Sequence, residues 1–568
     1  MPPRRSMSTL ARMCLQSIAE NMQSLWVTDY AEKYMEEYSF MYVEGPFNQL
    51  AGPLVQELIK ILGESHKLTR AGLHLLLQPH LTELSLHYCS GLINKAIIDL
   101  VTVRCKFLTS LDLHSCSRVP AGSLAILVGR LPRLMKLCLS DTQCDSLALA
   151  TIGSCCQRLR ELDISRCRKL SPSSLLSLVY DSKRATFSCQ ALKVLLLQDV
   201  KPQGDLEQWV NALCYILLAL PSLEQLSNPS VLSALRLIHT GRFSHGGTFT
   251  DSFPSLAEVA RRRVARKSGC NGLVNVRDSQ SQKAEYEQES DTLRGKENWN
   301  GTAGISLHLR KLEDLEEEDV SSLGSLCQEV EEAAITLGIQ TVSAWSLVQW
   351  PNLTQLTLHS PEQPNRMLEE MLTSLHAIGN SLRVLSLQNL LWGQEESLST
   401  LLTWCPNLQS FQGHFTVLSQ TLFHNDPELP PWARKPLPLP HLHTFNFLLE
   451  GEDSLHPTFQ HQLGGFLVAL LQGCLKLECL SLCGVPTSLD SVFEVVYASS
   501  PPHPLQRLSE VSLCHSNVTQ WGASLLLRSK NDLSHLDLSH CKDVTCRDYH
   551  KLQEMARKEG SNISISWQ

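Results

Sequence analysis

Two neighbouring cysteine–histidine pairs are the residues of this sequence most suited to chemistry: Cys514–His515 and His540–Cys541. Thiolate and imidazole are ligands that Zn²⁺ prefers, and they are also the partners in cysteine-based nucleophilic catalysis. A zinc site needs its cysteines in spaced pairs, which the adjacent Cys155–Cys156 does not provide. Nothing in the sequence orients a catalytic pair. We therefore predict no metal site, no cofactor and no catalytic residue.

Enzyme signatures are also missing from the sequence. It contains no GxxxxGK[ST] phosphate loop, no GxGxxG after a strand, no HExxH and no GxSxG. An enzyme that carries an accessory binding region has little room, because a repeat extends from residue 81 to about 545. We expect a protein that is not an enzyme.

The repeat is a pattern of leucines, Leu-x-x-Leu-x-Leu, often followed by cysteine after two further residues. The middle leucines of the first four copies, at 84, 111, 137 and 162, are 27, 26 and 25 residues apart. Alternating leucines predict a short strand with both leucines turned inward, and the next segment returns as a helix. The last slot of these copies holds Cys89, Cys116, Thr142 and Cys167. A small thiol suits a tight turn into the interior.

Further copies, most of them looser, extend the pattern along the chain, to about twelve in all without the doubtful copy at Leu223. They begin at Leu192, Leu223, Leu353, Leu382, Leu408, Leu442, Leu477, Leu508 and Leu533. The units resemble the cysteine-containing class of leucine-rich repeats, which is common in substrate receptors of ubiquitin ligases. The expected fold is α/β: a leucine-rich-repeat solenoid (horseshoe) with an N-terminal helical segment.

The pattern divides the chain into four regions. Residues 1–78 are expected to be helical, 79–240 to be repeats, 241–305 to be a disordered linker or insert, and 306–568 to continue the repeats or form a second arc. The basic run Arg261–Lys267 fits a nuclear-import signal or the solvated end of a helix. The KEN tripeptide at 296–298 resembles a degradation signal and also arises by chance. We expect Glu316–Asp319 to be an exposed helical face and 426–440 a proline-rich loop.

Composition limits the classes of partner. The net charge of −8 argues against a general nucleic-acid binder. The most apolar stretch, 212–223, is interrupted by Pro221 and is too short to cross a bilayer, so no membrane contact is predicted. No apolar segment of a signal peptide follows the basic N-terminus. The 20 cysteines are then expected to be reduced, and the protein cytoplasmic, nuclear or both.

The N-terminal helical segment carries a second motif. Leu10, Cys14 and Ile18 follow one another at steps of four residues, which places them on one helical face, and Thr9 is suited to cap that helix. The sequence Thr9-Leu-Ala-Arg-Met-Cys-Leu-Gln-Ser-Ile18 resembles the BC-box of elongin-binding substrate receptors. The resemblance implies that Leu10, Cys14 and Ile18 bind elongin C, which acts together with elongin B. The alternative is a helix that only caps the end of the repeats.

A cullin box normally follows the BC-box in this group. Residues 50–58, Leu-Ala-Gly-Pro-Leu-Val-Gln-Glu-Leu, resemble one, with Pro53, Leu54 and Leu58 as the implied cullin contacts. The cullin-5 form has Leu-Pro where this chain has Leu50 followed by alanine. The choice between cullin-5 and cullin-2 therefore stays open.

The residues that flank the middle leucine of each repeat strand are the candidate client-binding face. They are short and polar: Ser85, His87, Asp112, His114, Asp163 and Ser165. Such a face suits a broad contact with another protein. An ordinary solvated strand surface has the same composition.

Together these features predict a non-catalytic substrate-recognition subunit of a cullin–RING ubiquitin ligase. Its repeats would hold a client protein, whose identity the sequence does not give. The alternatives are a scaffold or inhibitor that binds a protein partner without recruiting a ligase, and an F-box-like adaptor. The F-box alternative lacks the Leu-Pro-x-Glu start of that motif.

Overall fold

The computed structural model describes residues 10–29, 45–200, 205–241, 243, 253–267, 304–338, 347–361, 366–417, 435–451, 457–498, 504–558 and 563–567. The chain divides into two compact units, Ser8–Leu309 and Arg310–Gln568, called here the N-terminal and C-terminal units. Among the described helices, none is long and apolar enough to cross a membrane.

Strands and helices alternate in the N-terminal unit. Its strands are β1 Glu83–Ser85, β2 Ser110–Asp112, β3 Lys136–Cys138, β4 Glu161–Asp163, β5 Tyr180–Asp181, β6 Thr186–Phe187, β7 Val194–Leu196 and β8 Gln225–Ser227. Its α-helices are α1 Leu10–Asn21, α2 Gly52–Glu64, α3 Arg70–Leu76, α4 Lys95–Arg104, α5 Ala121–Gly129, α6 Ser146–Cys155, α7 Pro172–Val179, α8 Leu206–Ala219, α9 Val231–Thr240 and α10 Leu256–Lys267. A π-helical turn, Met22–Val27, follows α1, and a 3-10 helix, His87–Leu92, follows β1.

Consecutive repeat strands pair in parallel, in the order β1-β2-β3-β4-β7-β8, while β5 and β6 form a separate antiparallel pair. The middle leucines of the predicted repeats lie side by side across this sheet and are buried: Leu84, Leu111, Leu137, Leu162, Leu195 and Leu226. The weak copy at Leu223 therefore forms a true repeat strand. Parallel neighbours need a crossover segment, and the helices supply it.

The cysteine slot is a buried turn whose side chain donates a hydrogen bond to a carbonyl just after a repeat strand, either of the same repeat or of the preceding one. Cys167 donates from Sγ to the carbonyl of Leu139, at 3.1 Å, and Thr142 donates to the same carbonyl at 2.6 Å. A threonine thus takes the place of cysteine by supplying an equivalent donor. Burial raises the pKa of the Cys89 and Cys116 thiols to about 12, so they stay protonated.

The C-terminal unit contains a ten-stranded parallel sheet whose strands also follow chain order. The strands are β9 Lys311–Glu316, β10 Glu332–Thr336, β11 Gln355–His359, β12 Val384–Leu391, β13 Ser410–Thr416, β14 Thr444–Glu450, β15 Cys479–Cys483, β16 Glu510–Ser512, β17 His535–Asp537 and β18 Ser564–Ser566. The helices are α11 Asp319–Leu323, α12 Leu368–His376, α13 Glu395–Trp404, α14 Pro457–Gly473, α15 Leu489–Tyr497, α16 Gln520–Arg528 and α17 Cys546–Lys558, with a 3-10 turn at Leu347–Gln349.

Phenylalanines replace leucines in the weak repeats of this unit. Phe411 and Phe445 lie side by side on β13 and β14 with their rings stacked, and Phe447 packs beside Phe415. Gly413 occupies the inward position between Phe411 and Phe415. A Cβ there would overlap the ring of Phe415 and lie 2.9 Å from that of Phe411. The larger rings thus fit because one position has no side chain.

The acidic run Glu316–Asp319 was expected to be exposed, and that prediction is wrong for two of its residues. Glu317 and Asp319 are buried at the end of β9 and the start of α11. The carboxylate of Glu317 pairs with the buried guanidinium of Arg366, at 3.1 Å, and accepts the backbone N–H of Gly338. A buried carboxylate needs such partners, and the sequence did not show where they would come from.

Residues 256–267 were expected to belong to a disordered stretch, but they form the helix α10. Leu256, Val259 and Ala260 are buried, which gives this otherwise charged segment an anchoring face. The basic run is partly used within the fold. Arg263 is buried and donates to the carbonyl of Ser306 at 3.0 Å, and Arg262 pairs with Glu258. The KEN tripeptide and most of the proline-rich loop lie outside the described residues.

Candidate protein-binding surfaces

The helix α1 has one face turned outward and one face turned inward. Leu10 is 77% exposed, Cys14 is exposed and Ile18 is half-buried. Leu15, only 5% exposed, and Ala19 lie on the opposite side, where α1 packs against α2. Of the three elongin-binding residues implied by the BC-box, Leu10 and Cys14 therefore lie on a surface that the described part of the chain leaves uncovered, and Ile18 lies at its margin. Thr9, the expected helix cap, lies outside the described residues.

The segment after α1 anchors the helix. Met22 and Val27, in the π-helical turn, are buried, and this turn packs against α3. The rings of Trp26 and Phe47 pack in an edge-to-face arrangement, with 5.6 Å between their centroids. Thr69 caps α3 by accepting the backbone N–H of Gly72 at 3.1 Å. These contacts hold α1 in place through one end and one face, so its outward face remains available.

Sequence reasoning missed one residue of the outward face. Met13, three residues after Leu10, is 54% exposed and extends the apolar row beside Cys14. The signal was present, because residues three and four apart on a helix are neighbours. The BC-box pattern leaves this position unspecified, and that is why it was passed over.

The structure separates the three residues implied as cullin contacts. Pro53 is exposed in the first turn of α2, and Leu54 is half-buried. Leu58 is fully buried with Val55 and Ile59 on the inward face of α2. The assignment of Leu58 to a cullin contact is therefore wrong. A helix that covers the repeats must bury one apolar face, and Leu58 lies on that face.

A hydrogen-bonded cluster contains Ser85 on β1, His87 in the 3-10 helix after β1 and Asp112 on β2. The hydroxyl of Ser85 donates to Asp112 Oδ2 at 2.7 Å, and His87 Nδ1 lies 2.9 Å from the same oxygen. Burial opposes ionisation of Asp112. Hydrogen bonds from the His114 N–H, Ser85 and His87 nevertheless hold the pKa of its carboxyl below the usual value.

This cluster lacks the geometry of a catalytic triad. In a triad the serine and the carboxylate bind opposite nitrogens of the histidine ring. Here Ser85 Oγ and Asp112 Oδ2 both lie against Nδ1 of His87, at 2.7 and 2.9 Å. His87 therefore does not bridge Ser85 and Asp112 through its two nitrogens, as the histidine of a triad does. The cluster fixes polar groups on a surface.

The aspartates of the predicted client face are partly committed to their own backbone. Asp112 accepts the N–H of His114 and Asp163 accepts the N–H of Ser165, both at 2.9 Å. Ser165 is buried, and its hydroxyl accepts the N–H of Gln198 at 3.1 Å. The prediction that Ser165 faces a client is therefore wrong. Ser85, His87, Asp112, His114 and Asp163 stay partly exposed.

The two cysteine–histidine pairs serve repeat packing. Cys541 is buried and donates to the carbonyl of Leu513 at 3.0 Å, in the same manner as Cys167. Cys514 donates to Asp537 Oδ2 at 2.9 Å, and His515 and His540 stack with their centroids 4.6 Å apart. Within the described ranges, no three His, Cys, Asp or Glu side chains are grouped to hold a metal ion.

Comparison with known proteins gives distant structural likenesses. No family model matches the chain. No curated protein matches it either. Among solved structures, the chain is similar to one described as the crystal structure of the Rad7 and Elc1 complex in yeast. The sequences are 15% identical, the alignment covers 96% of each chain, and the TM-score is 0.33.

Proposed function

We propose that this chain is a non-catalytic substrate-recognition subunit of a cullin–RING ubiquitin ligase, built as a leucine-rich-repeat solenoid behind an elongin-binding helix. The observation that carries the proposal is the outward apolar row of α1. Leu10, Cys14 and Ile18 satisfy the BC-box pattern, and the folded chain leaves the first two exposed. The proposed compartment is the cytoplasm, the nucleus or both.

An exposed apolar row on an anchored helix favours a protein partner. Leu10, Met13 and Cys14 lie within about one turn of each other, and contiguous apolar surface of this kind is uncommon on a free monomer. A helix that binds in an apolar groove presents anchors at i, i+3, i+4 and i+7, and Leu10, Met13 and Cys14 occupy the first three of these positions. The exposed thiol of Cys14 is small enough to let the helix backbone approach a partner closely.

A helix that only covers the end of the repeats would need the inward face alone. Leu15 and Ala19 provide that attachment. The covering role and the elongin role therefore use opposite faces of α1, and the first does not account for the second.

The proposed cullin contact is reduced to Pro53 and Leu54 at the start of α2. Because Leu58 is buried, any cullin surface would meet the first turn of α2 and not its length. The proposed mechanism is proximity. The repeats hold a client while a separately bound conjugating enzyme reaches its lysines, so transfer takes place within one assembly.

The decisive experiment is a pulldown of the full chain with elongins B and C. The test variant carries Leu10→Ala and Cys14→Phe. Because Cys14 is exposed, the phenylalanine does not disturb the core, and loss of binding would report on the outward face. We expect the wild type to retain both elongins and the variant to lose more than about 90% of them, since hot-spot side chains each contribute 1–2 kcal/mol or more.

A matched control makes the same two substitutions elsewhere. Leu147, 58% exposed on α6, is changed to alanine, and the exposed Cys546 is changed to phenylalanine. This control should keep the elongins. If the wild type captures no elongin, the adaptor proposal fails. If the test variant still captures them, the binding site lies elsewhere on the chain.

A further inference from the structure

A group of cations lies along one edge of the sheet in the N-terminal unit, just before strands β2, β3 and β4. We call it the basic edge and define it as Lys106, Arg130, Arg133, Arg158 and Arg160, all exposed. Phe107 lies among them and is half-exposed. The guanidinium of Arg133 lies 5.0 Å from the centre of the Phe107 ring.

The repeat brings these side chains together. Phe107, Arg133 and Arg158 each come directly before the first leucine of their repeat. They therefore occupy the equivalent position, three residues before the strand, in three neighbouring repeats. The backbone hydrogen bonds between neighbouring repeats extend into this region. The N–H of Arg160 donates to the carbonyl of Met135 at 2.7 Å. Neighbouring strands lie about 5 Å apart, so the three side chains follow one another at that step.

The charge of the basic edge is largely uncompensated. Within the described part of the chain, Arg130, Arg158 and Arg160 make no ion pair with a carboxylate. The neighbouring acid Glu161 is already paired with Lys136, at 2.8 Å. In a chain whose net charge is −8, this is a local concentration of positive charge.

We propose that the basic edge binds an acidic segment of a protein partner, a stretch rich in aspartate and glutamate in extended conformation. Arginine forks bind carboxylates in two-point contacts, and an extended peptide crossing the strand ends can present one carboxylate to each repeat. Phe107 offers an apolar contact between the charges. The assignment of the basic edge as a surface for ligase clients rests on the proposed function. The binding of an acidic peptide to the basic edge does not depend on that function.

A protein partner fits this surface better than a nucleic acid does. The strands that begin at the basic edge carry Asp112 and Asp163 at their third positions, on the sheet beyond the edge. These carboxylates would repel a phosphate backbone that crossed the sheet. A short acidic peptide confined to the edge avoids them. As a proposed client surface, the basic edge adds the starts of the strands to the strand faces predicted from the sequence.

The test measures binding of fluorescein-labelled peptides to the full chain by fluorescence anisotropy in 50 mM salt. The probe is a twelve-residue peptide of alternating Glu and Ser, and the control peptide has Gln in place of Glu. The variant Arg133→Glu, Arg158→Glu, Arg160→Glu should weaken binding of the acidic probe by at least about 10-fold, because three charged contacts become repulsive. Binding should also fall as salt rises.

The matched control variant reverses three exposed cations of the C-terminal unit, Arg507→Glu, Lys530→Glu and Arg547→Glu, and so makes the same change in net charge. It should bind the acidic probe as the wild type does. Equal weakening by both variants, or no binding of the probe to the wild type, would overturn the proposal. A twelve-nucleotide oligo-deoxythymidine that binds through the basic edge more tightly than the peptide would overturn it too. Elongin capture by the same variants is measured as well, so that failure of this proposal can be distinguished from failure of the proposed function.

Discussion

Leu10 and Leu15 stand on one helix, five residues apart, and face opposite ways: Leu10 is 77% exposed and Leu15 is 5% exposed. The Leu15 side chain attaches the helix to the fold, and the Leu10 side chain is exposed. Their substitution should therefore have separable effects.

We expect Leu15→Ala to lower the free energy of unfolding by about 2 kcal/mol, because it leaves a cavity between α1 and α2. Leu10→Ala should change it by less than about 0.5 kcal/mol. Urea unfolding of both variants measures the difference. A large loss from Leu10→Ala would show that the outward face is in fact packed.

The ion pair of Arg366 and Glu317 should be essential to the C-terminal unit. Arg366→Leu leaves a buried carboxylate without its main partner and should cost about 3–5 kcal/mol. Adding Glu317→Leu should recover part of that loss, since no charge remains buried. The exposed pair of Arg310 and Glu331 is the control, and Arg310→Leu should cost at most about 1 kcal/mol. Additive effects of the two leucine substitutions would contradict the pairing.

Gly413→Ala should destabilise the chain by about 1–3 kcal/mol, because its methyl group overlaps the rings of Phe411 and Phe415. Trimming the ring with Phe415→Leu should restore part of the loss. Gly122, in the first turn of α5, has open space around it, and Gly122→Ala should be neutral or slightly stabilising. Thermal unfolding gives all three values. Equal effects at the two glycines would disprove the packing argument.

Stability should fall in mild acid through His74. Burial, and then the charge of Arg104, lower the pKa of His74 from 6.5 to about 4. The unfolded chain binds a proton at His74 as the pH falls below 6.5, whereas the folded chain does so only near pH 4. The contribution is therefore complete above pH 6.5 and is lost as the pH falls towards 4. Wild type should lose more stability between pH 7.5 and 5 than His74→Gln does. Identical losses would exclude this histidine.

Thiol labelling should report on α1. Exposed Cys14 and Cys546 should react with N-ethylmaleimide at pH 8 well before Cys89 and Cys116, whose buried thiols stay protonated. Elongins B and C should protect Cys14 and leave Cys546 reactive. Mass spectrometry of the labelled peptides measures both rates. Unchanged labelling of Cys14 in the presence of bound elongins would place their contact elsewhere.

The sequence predicted the strands well where the side chains repeat strictly. Leu84 and Leu111 follow the same spacing as later pairs, and backbone pairing then has one register that buries them both. The sequence did not predict β9, Lys311–Glu316, because its residues do not alternate strictly. The pairing register with β10 shifts within this strand. The partner of Glu317 comes from Arg366, 49 residues later, and local patterns do not contain such contacts.

The candidate site was predictable only in part for a similar reason. The BC-box pattern gave the row of Leu10 and Cys14, because helical spacing alone places them on one face. It could not say that Leu58 faces inward, since any apolar residue of α2 fits either a partner or the core. The basic edge was hidden because its members are scattered in sequence and meet only when the repeats are set side by side.

Each strand of the six-stranded N-terminal sheet bonds only to the strands of the preceding and the following repeat, so no strand of this sheet joins distant repeats. Removing residues 111–136 would bring Leu137 to the place of Leu111, beside Leu84, with the same inward leucine and the same parallel backbone pairing, although Cys138 would replace Asp112. Loss or duplication of one such segment is therefore compatible with the backbone pairing of the remaining repeats. The number of repeats, and with it the span of surface available to a partner, is free to change over evolution in whole steps.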